Sequence, residues 1–369
     1  MAEVRKIIGL MSGTSLDGVD AALVETDGQD IAIPGPALGL PYDPQMRAML
    51  RQALDDAQTV AAGAPVPYSI RDAERRLTEV HADAVKALLI KAKLSARQVA
   101  LVGFHGQTIL HRPAQHWTWQ IGDGALLAKF TGIDVVNDFR SADVKAGGQG
   151  APLVPLYHAA LVKKSGGHDL PIVLVNIGGV ANVTYIGKDG GVLAFDTGPG
   201  NAPIDDWMHR HSGKPVDENG DVARTGKVND AALSRMLDNP FFDVTPPKSL
   251  DRLDFGTSAV EGLSPQDGAA TLTAFTAASI AKARAHFADM PNAWIVCGGG
   301  RHNRTLMDSL RARVNAPVLS AEDAGWNGDF IEAEAFAYLA ARSVQGLPLS
   351  LPTTTGVREA MTGGKLHRN

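Results

Sequence analysis

The chain has 369 residues, 44% of them apolar and 20% charged, with a formal net charge of −5. That is an ordinary globular composition, long enough for two cores, and it excludes disordered, fibrous and membrane-spanning chains. The scattered Lys and Arg leave no footprint for nucleic acid. The single cysteine, Cys297, can form no internal disulfide, no Cys or His cluster has zinc-ligand spacing, and the apolar run at 7–11 is shorter than a signal-peptide core. The expected setting is the cytoplasm.

In chain order, the first informative stretch is KIIGLMSGTSLDGVDAALVE at 6–25, where small and hydroxyl residues separate two apolar strands. Such a turn offers backbone N–H groups to a phosphate. Gly13 and Gly18 permit close approach, Ser12, Thr14 and Ser15 offer hydroxyls, and Asp17 can hold hydrated Mg²⁺; a plain hairpin is the simpler alternative. A helical period covers 70–93, and strand-like runs follow at 100–104 and 133–137. Between and after them come HGQTILHRP with His105, WQIGDG with Gln120 and Asp123, DFR with Arg140, and GGQGAP with Gln149. Amides, carboxylates and a guanidinium in successive loops suit a polyhydroxylated ligand bearing a carboxylate, with the Arg140 fork as the partner of that anion. A structural role for His105 and a solvated ion pair for Arg140 remain open. The polar, Gly-rich stretch 138–152 is expected to be a junction and hinge, with the domain boundary near Val144.

Further strand-like runs lie at 172–176, 183–186 and 192–195. The turn NIGG, containing Gly178 and Gly179, repeats the design of the first hairpin. Asp196 follows the third strand and precedes a Gly-Pro-Gly turn, a place that projects a carboxylate beyond a strand end as base or magnesium ligand, or folds it into an Asx-turn. With an ordinary pKa of about 3.9 it is expected to be ionised at neutral pH. The region 243–264 reads as a lid or as a surface loop. A helical period at 269–287 precedes a strand at 293–297 that runs into Gly298, Gly299 and Gly300, and Glu332 opens a last helix at 331–344. The class is α/β. There is neither a P-loop nor a GxGxxG fingerprint, so the phosphate grip must come from loops without their own lysine.

Taken together, GLMSGTSLDGVDAAL, HGQT, QIGDG, DFR, GGQGAPLVP, NIGG, FDTGPGN, PPKS, CGGG, IEA and PTTTG stand in an order that resembles the anhydro-N-acetylmuramic acid kinase family, from Gly9 to Gly356. The resemblance implies a two-domain fold of the acetate and sugar kinase, heat-shock ATPase and actin type, with ATP and sugar in the interdomain cleft and usually a homodimer. Domain I is expected at 1–143, completed by 350–369, and domain II at 144–349. The implied reaction opens 1,6-anhydro-N-acetylmuramic acid with water and transfers the γ-phosphoryl group of ATP to O6, in peptidoglycan recycling. By resemblance Asp196 is the general base, with Glu332 aligning water or coordinating Mg²⁺. The ATP-phosphate loop is Gly13, Thr14, Ser15, Leu16, Asp17, Gly18, Val19 and Asp20, with Gly178, Gly179 and 298–300 completing the nucleotide site. His105, Gln120, Asp123, Arg140 and Gln149 are implied for the sugar. The chain departs from the family at Leu250 and Asp251, where a small, flexible pair is usual. The alternatives are a plain sugar or carboxylic acid kinase of this fold and a nucleotide-gated binding protein.

Overall fold

A computed structural model describes residues 3–13, 15–166, 169–250 and 254–369. The chain divides into two compact units, Met1–Gly166 with Phe330–Asn369, and Gly167–Asp329.

Unit 1 opens with three strands paired antiparallel in succession, β1 (Arg5–Met11), β2 (Gly18–Thr26) and β3 (Ala32–Pro41). After β4 (Leu101–Phe104), a hairpin of β5 (Gln107–Arg112) and β6 (Trp117–Ile121) forms a separate small sheet, and β7 (Val135–Asn137) rejoins the main one. The main sheet runs β3-β2-β1-β4-β7, with β4 parallel to β1 and β7 parallel to β4; Lys365–His367 adds antiparallel to β7. The helices Pro44–Ala57 and Tyr68–Ala92 bring Met46, Leu50, Leu77 and Val85 into one core with Ile8, Leu10 and Phe104. A second core joins Ile7, Val24, Leu101 and Val136 to the helix Ile331–Val344. That helix lies so close to the sheet that a Cβ on Gly9 would stand 1.8 Å from the Ala333 carbonyl oxygen, and one on Gly103 2.0 Å from that of Phe336. Glycine at both positions is a requirement of the helix–sheet contact.

Unit 2 repeats the plan. β8 (Ile172–Ile177), β9 (Val180–Ile186) and β10 (Val192–Pro199) pair antiparallel, β11 (Ala293–Cys297) is parallel to β8, and β12 (Val318–Ser320) is parallel to β11, giving the order β10-β9-β8-β11-β12. The helix Pro265–Lys282 serves two cores, giving Ala277 and Ile280 to the one under the sheet and Ala269, Leu272 and Phe275 to another with Trp207 and Phe242. Hence it is apolar nearly all round. Two sheets with the same order and the same strand senses are the duplicated α/β plan of the acetate and sugar kinase, heat-shock ATPase and actin type.

The units do not coincide with the bounds expected from sequence. The 138–152 stretch lies inside unit 1, with Val144 fully buried and Asp143 2% exposed, so its glycines serve a packed loop. The helix Ile331–Val344, assigned by position to domain II, belongs to unit 1 because its apolar face covers β1, β2 and β4. Linear order hides this, since composition does not say which sheet a helix will cover. No helix among the described residues is long and apolar enough to cross a membrane.

Candidate active site

The first Gly-rich turn joins β1 to β2. The Leu16 N–H donates to the Gly13 carbonyl at 3.2 Å, and Leu16 holds a left-handed backbone with φ 57° while its side chain is buried. Val19 is also buried, so both offer only main chain to a ligand; Ser15 and Asp17 are exposed, and Asp20 is half-buried in the β2 ladder. A Cβ on Gly18 would stand 2.4 Å from the Leu40 oxygen, which explains that glycine by strand pairing. A Cβ on Gly13 would meet nothing nearer than Ser15 Oγ at 3.6 Å, and its φ is ordinary. Among the described residues, then, no packing contact demands glycine at this position. Thr14 lies outside the described residues.

The turns of unit 2 sort the same way. A Cβ on Gly178 would meet only the Val180 oxygen at 3.6 Å, and one on Gly179 only Ala202 Cβ at 3.7 Å. Their carbonyls accept the Asn201 N–H at 2.7 Å and the Gly200 N–H at 2.9 Å, knitting the NIGG and GPGN turns together. The triple glycine divides: Gly298 has φ 75° and would bring a Cβ within 2.3 Å of Asn176 Oδ1, while a Cβ on Gly300 would stand 2.3 Å from Ile177 Cγ2. Only Gly299 is open, with Asn201 Nδ2 3.8 Å away. Packing alone is enough to require glycine at 298 and 300, whereas Gly299 has room for a side chain. Sequence reasoning missed Arg301, a buried guanidinium that donates to the Gly298 carbonyl at 2.9 Å, to Glu322 at 3.0 Å and to Asp329 at 2.7 Å, anchoring this turn.

Asp196 lies near the end of β10, beside a register shift between Asp196 and Gly198. Its N–H donates to the Lys248 carbonyl at 2.9 Å and its Oδ2 accepts the Leu250 N–H at 2.8 Å, so the PPKS segment lies along it. Desolvation pushes its carboxyl up to about 7, opposed among the described residues by the Leu250 hydrogen bond. The expectation of an ordinary, fully ionised carboxylate is thereby corrected, since burial among the described residues poises the group near neutrality. Asp251 lies outside the described residues.

In unit 1, Arg140 Nε donates to His105 Nε2 at 3.0 Å and Nη1 donates to the Gly150 carbonyl at 2.6 Å. His105 Nδ1 lies 2.7 Å from the Gly106 carbonyl, so the ring carries its proton there and is neutral. Burial first, and the Arg140 charge second, hold its pKa well below the ordinary value. With both nitrogens engaged, His105 orients Arg140; expected as a sugar ligand, it here meets the protein instead. Desolvation brings Arg140 down to about 10 against the fields of Glu332 and Asp143, and it stays charged at neutral pH. Glu332 is solvent-accessible in the first turn of its helix; desolvation raises its pKa and Arg140 lowers it. Two residues on, Glu334 is buried against the Tyr157 hydroxyl at 2.7 Å.

Gln120 donates to Thr118 and Thr108 hydroxyls at 2.8 and 3.2 Å, and Asp123 caps the helix Gly124–Thr131 by accepting the Leu126 N–H at 2.9 Å. They line one shallow pocket with Glu74, Asn137 and Asp138. Glu74 was missed from sequence, although an acid beside buried Ala73 and Leu77 was the available signal; it accepts the Gly122 N–H at 3.0 Å. Gln149 is half-buried, its N–H donating to the Thr355 carbonyl at 2.7 Å. Among the described residues no group of three or more His, Cys, Asp or Glu is placed to hold a metal ion. Exposed Asp17 fits the sparser mode of Mg²⁺, which takes one or two carboxylates, waters and phosphate oxygens.

The profile of the anhydro-N-acetylmuramic acid kinase family matches residues 5–369. The chain belongs to this family. The anhydro-N-acetylmuramic acid kinase of Rhizorhabdus wittichii is 53% identical over 362 residues, 98% of each chain. That of Agrobacterium fabrum is 47% identical over 372 residues, 100% of each. Among solved structures, a ROK family glucokinase from Streptomyces griseus in complex with glucose and AMPPNP aligns with a TM-score of 0.40 and 15% identity, over 90% of this chain and 98% of its own. As an anhydro-N-acetylmuramic acid kinase by family, the protein is a phosphotransferase.

Proposed function

We propose that the protein converts 1,6-anhydro-N-acetylmuramic acid, ATP and water into N-acetylmuramate 6-phosphate and ADP, acting in peptidoglycan recycling in the cytoplasm, as a homodimer. Beyond family membership, the observation that carries the chemistry is Asp196, a carboxylate near the end of β10 that accepts the Leu250 N–H and that burial lifts to a pKa of about 7. A general base works best when its pKa lies near the working pH.

In this reading Asp196 takes a proton from water as the water oxygen attacks the anomeric carbon, which passes through an oxocarbenium-like state. The bond from that carbon to O6 breaks, O6 attacks the γ-phosphorus, and the bond to the β-phosphate oxygen breaks. The other water proton remains on the new anomeric hydroxyl, and the one held by Asp196 returns to solvent. A glycosidase needs an acid to protonate its leaving oxygen; here the phosphoryl group captures it. The uncrowded backbone at Gly13 in unit 1, and that at Gly178, Gly179 and Gly299 in unit 2, each leave room for phosphate oxygens to approach the main chain. Asp17 would be the residue to hold Mg²⁺, whose charge would offset that of the phosphates. Arg140, fixed by His105 and Gly150, keeps the end of its fork for the sugar's carboxylate, while Gln120, Asp123 and Gln149 address its hydroxyl and amide groups. Glu332 shares the Arg140 field and is suited to align the water.

Turnover in H₂¹⁸O, read by mass spectrometry, tests the proposal. A 6-phosphate product with the label at the anomeric carbon, absent with Asp196→Asn, is expected. An unlabelled phosphorylated product would indicate simple transfer to an existing hydroxyl.

A further inference from the structure

The segment 350–356 has no part in the reaction as described, yet it meets the loop 147–150 at one buried carboxylate. Asp143 accepts the Gly150 N–H at 2.6 Å, the Thr355 hydroxyl at 2.6 Å and a short hydrogen bond from the Ser350 hydroxyl. The loop can wrap this closely because it is glycine-rich. A Cβ on Gly148 would stand 2.2 Å from Asp143 Oδ1, and one on Gly150, where φ is 69°, 2.4 Å from Val144 Cγ2. The Gly150 carbonyl, in turn, accepts Arg140 Nη1 at 2.6 Å. A continuous line of hydrogen bonds thus runs from Ser350 and Thr355 through Asp143 and Gly150 to Arg140, and on to His105.

We infer that Asp143 is a positioning residue for the sugar: by fixing the Gly150 backbone it fixes the Arg140 guanidinium, so that the C-terminal segment 350–356 governs recognition of the sugar's carboxylate. The inference rests on the reading of Arg140 as that anion's partner. Bidentate recognition depends on the plane of the fork, and an arginine already held in plane loses less side-chain freedom on binding. The same line ties in Gln149, whose N–H donates to the Thr355 carbonyl.

Steady-state kinetics with each substrate varied in turn tests this on Asp143→Ala, Asp143→Asn, Thr355→Val and Arg140→Ala. Asp143→Ala is expected to raise the KM for the anhydro sugar about tenfold while the KM for ATP stays within about twofold. Asp143→Asn should stay near wild type, since its amide oxygen can accept from Gly150 and its NH₂ can donate to hydroxyls that rotate. In the Arg140→Ala background, Asp143→Ala should add less than about twofold, because residues acting through one contact are not additive. Additive losses, or equal rises in both KM values, would overturn the inference. Should Asp143→Ala not fold, an unchanged sugar KM in Thr355→Val would do so instead. An unchanged sugar KM in Arg140→Ala sinks the underlying reading and the inference with it; a raised one with Asp143→Ala unchanged sinks the inference alone.

Discussion

Asp196, the proposed general base, shows how position alone can shift a carboxyl group. Its pKa lies near 7 because burial penalises the carboxylate and a single backbone N–H offsets only part of that penalty. The base form grows as pH rises, so kcat/KM is expected to climb about tenfold per pH unit below a point near 7 and then level off. The same shift costs stability above the unfolded pKa of about 3.9, because the folded state then holds a proton more tightly than the unfolded chain. Asp196→Asn should accordingly lose about 10²–10⁴-fold in activity. It should also melt higher than wild type at pH 8, with the gap closing by pH 4, as differential scanning calorimetry would show. The side chain was legible in the sequence as a strand-end acid before Gly-Pro-Gly, whereas its pKa was not, because the Lys248–Leu250 segment that surrounds it lies more than fifty residues away. For His105 the sequence left two roles open, and only the geometry of Arg140 shows both ring nitrogens engaged.

Among the elements, the Gly-rich turns separate fold from ligand. Gly300 packs against Ile177, so Gly300→Ala should cost about 1–3 kcal/mol by overpacking. Gly299 has room, so Gly299→Ala should keep its melting temperature and raise the KM for ATP. Thermal melts and ATP-dependent kinetics on the pair check this, and equal destabilisation by both would contradict it. The strand at 293–297 and the helix at 331–344 emerge with the bounds their periodicity gives. β3 escaped that reading because AIPGPALGLP offers prolines and glycines where a strand usually offers alternation; an edge strand tolerates them. The turn chemistry of 138–152 suggested a hinge, but buried Asp143 gathers those glycines into packed structure.

At the scale of the whole molecule, each unit carries a five-strand sheet of the same order, extended in unit 1 by Lys365–His367. The α/β class was legible from strands arriving in batches between helices; the assignment of the last helix was not, because it returns to the first sheet after an entire unit has intervened. A chain ending at 329 would leave Ile7, Val24, Leu101 and Val136 without their covering helix. The expected result is loss of cooperative melting in unit 1, while the contiguous unit 2 retains its own transition by circular dichroism.

The central claim is that water attack and phosphoryl transfer are one coupled event on the anhydro sugar. The most direct measurement follows ring opening of 1,6-anhydro-N-acetylmuramic acid by mass spectrometry in H₂¹⁸O, with Mg-ATP and without any nucleotide. The account predicts labelled 6-phosphate and one ADP per ring opened with ATP, and no opening without it; release of labelled, unphosphorylated sugar at full rate in the absence of nucleotide would contradict it.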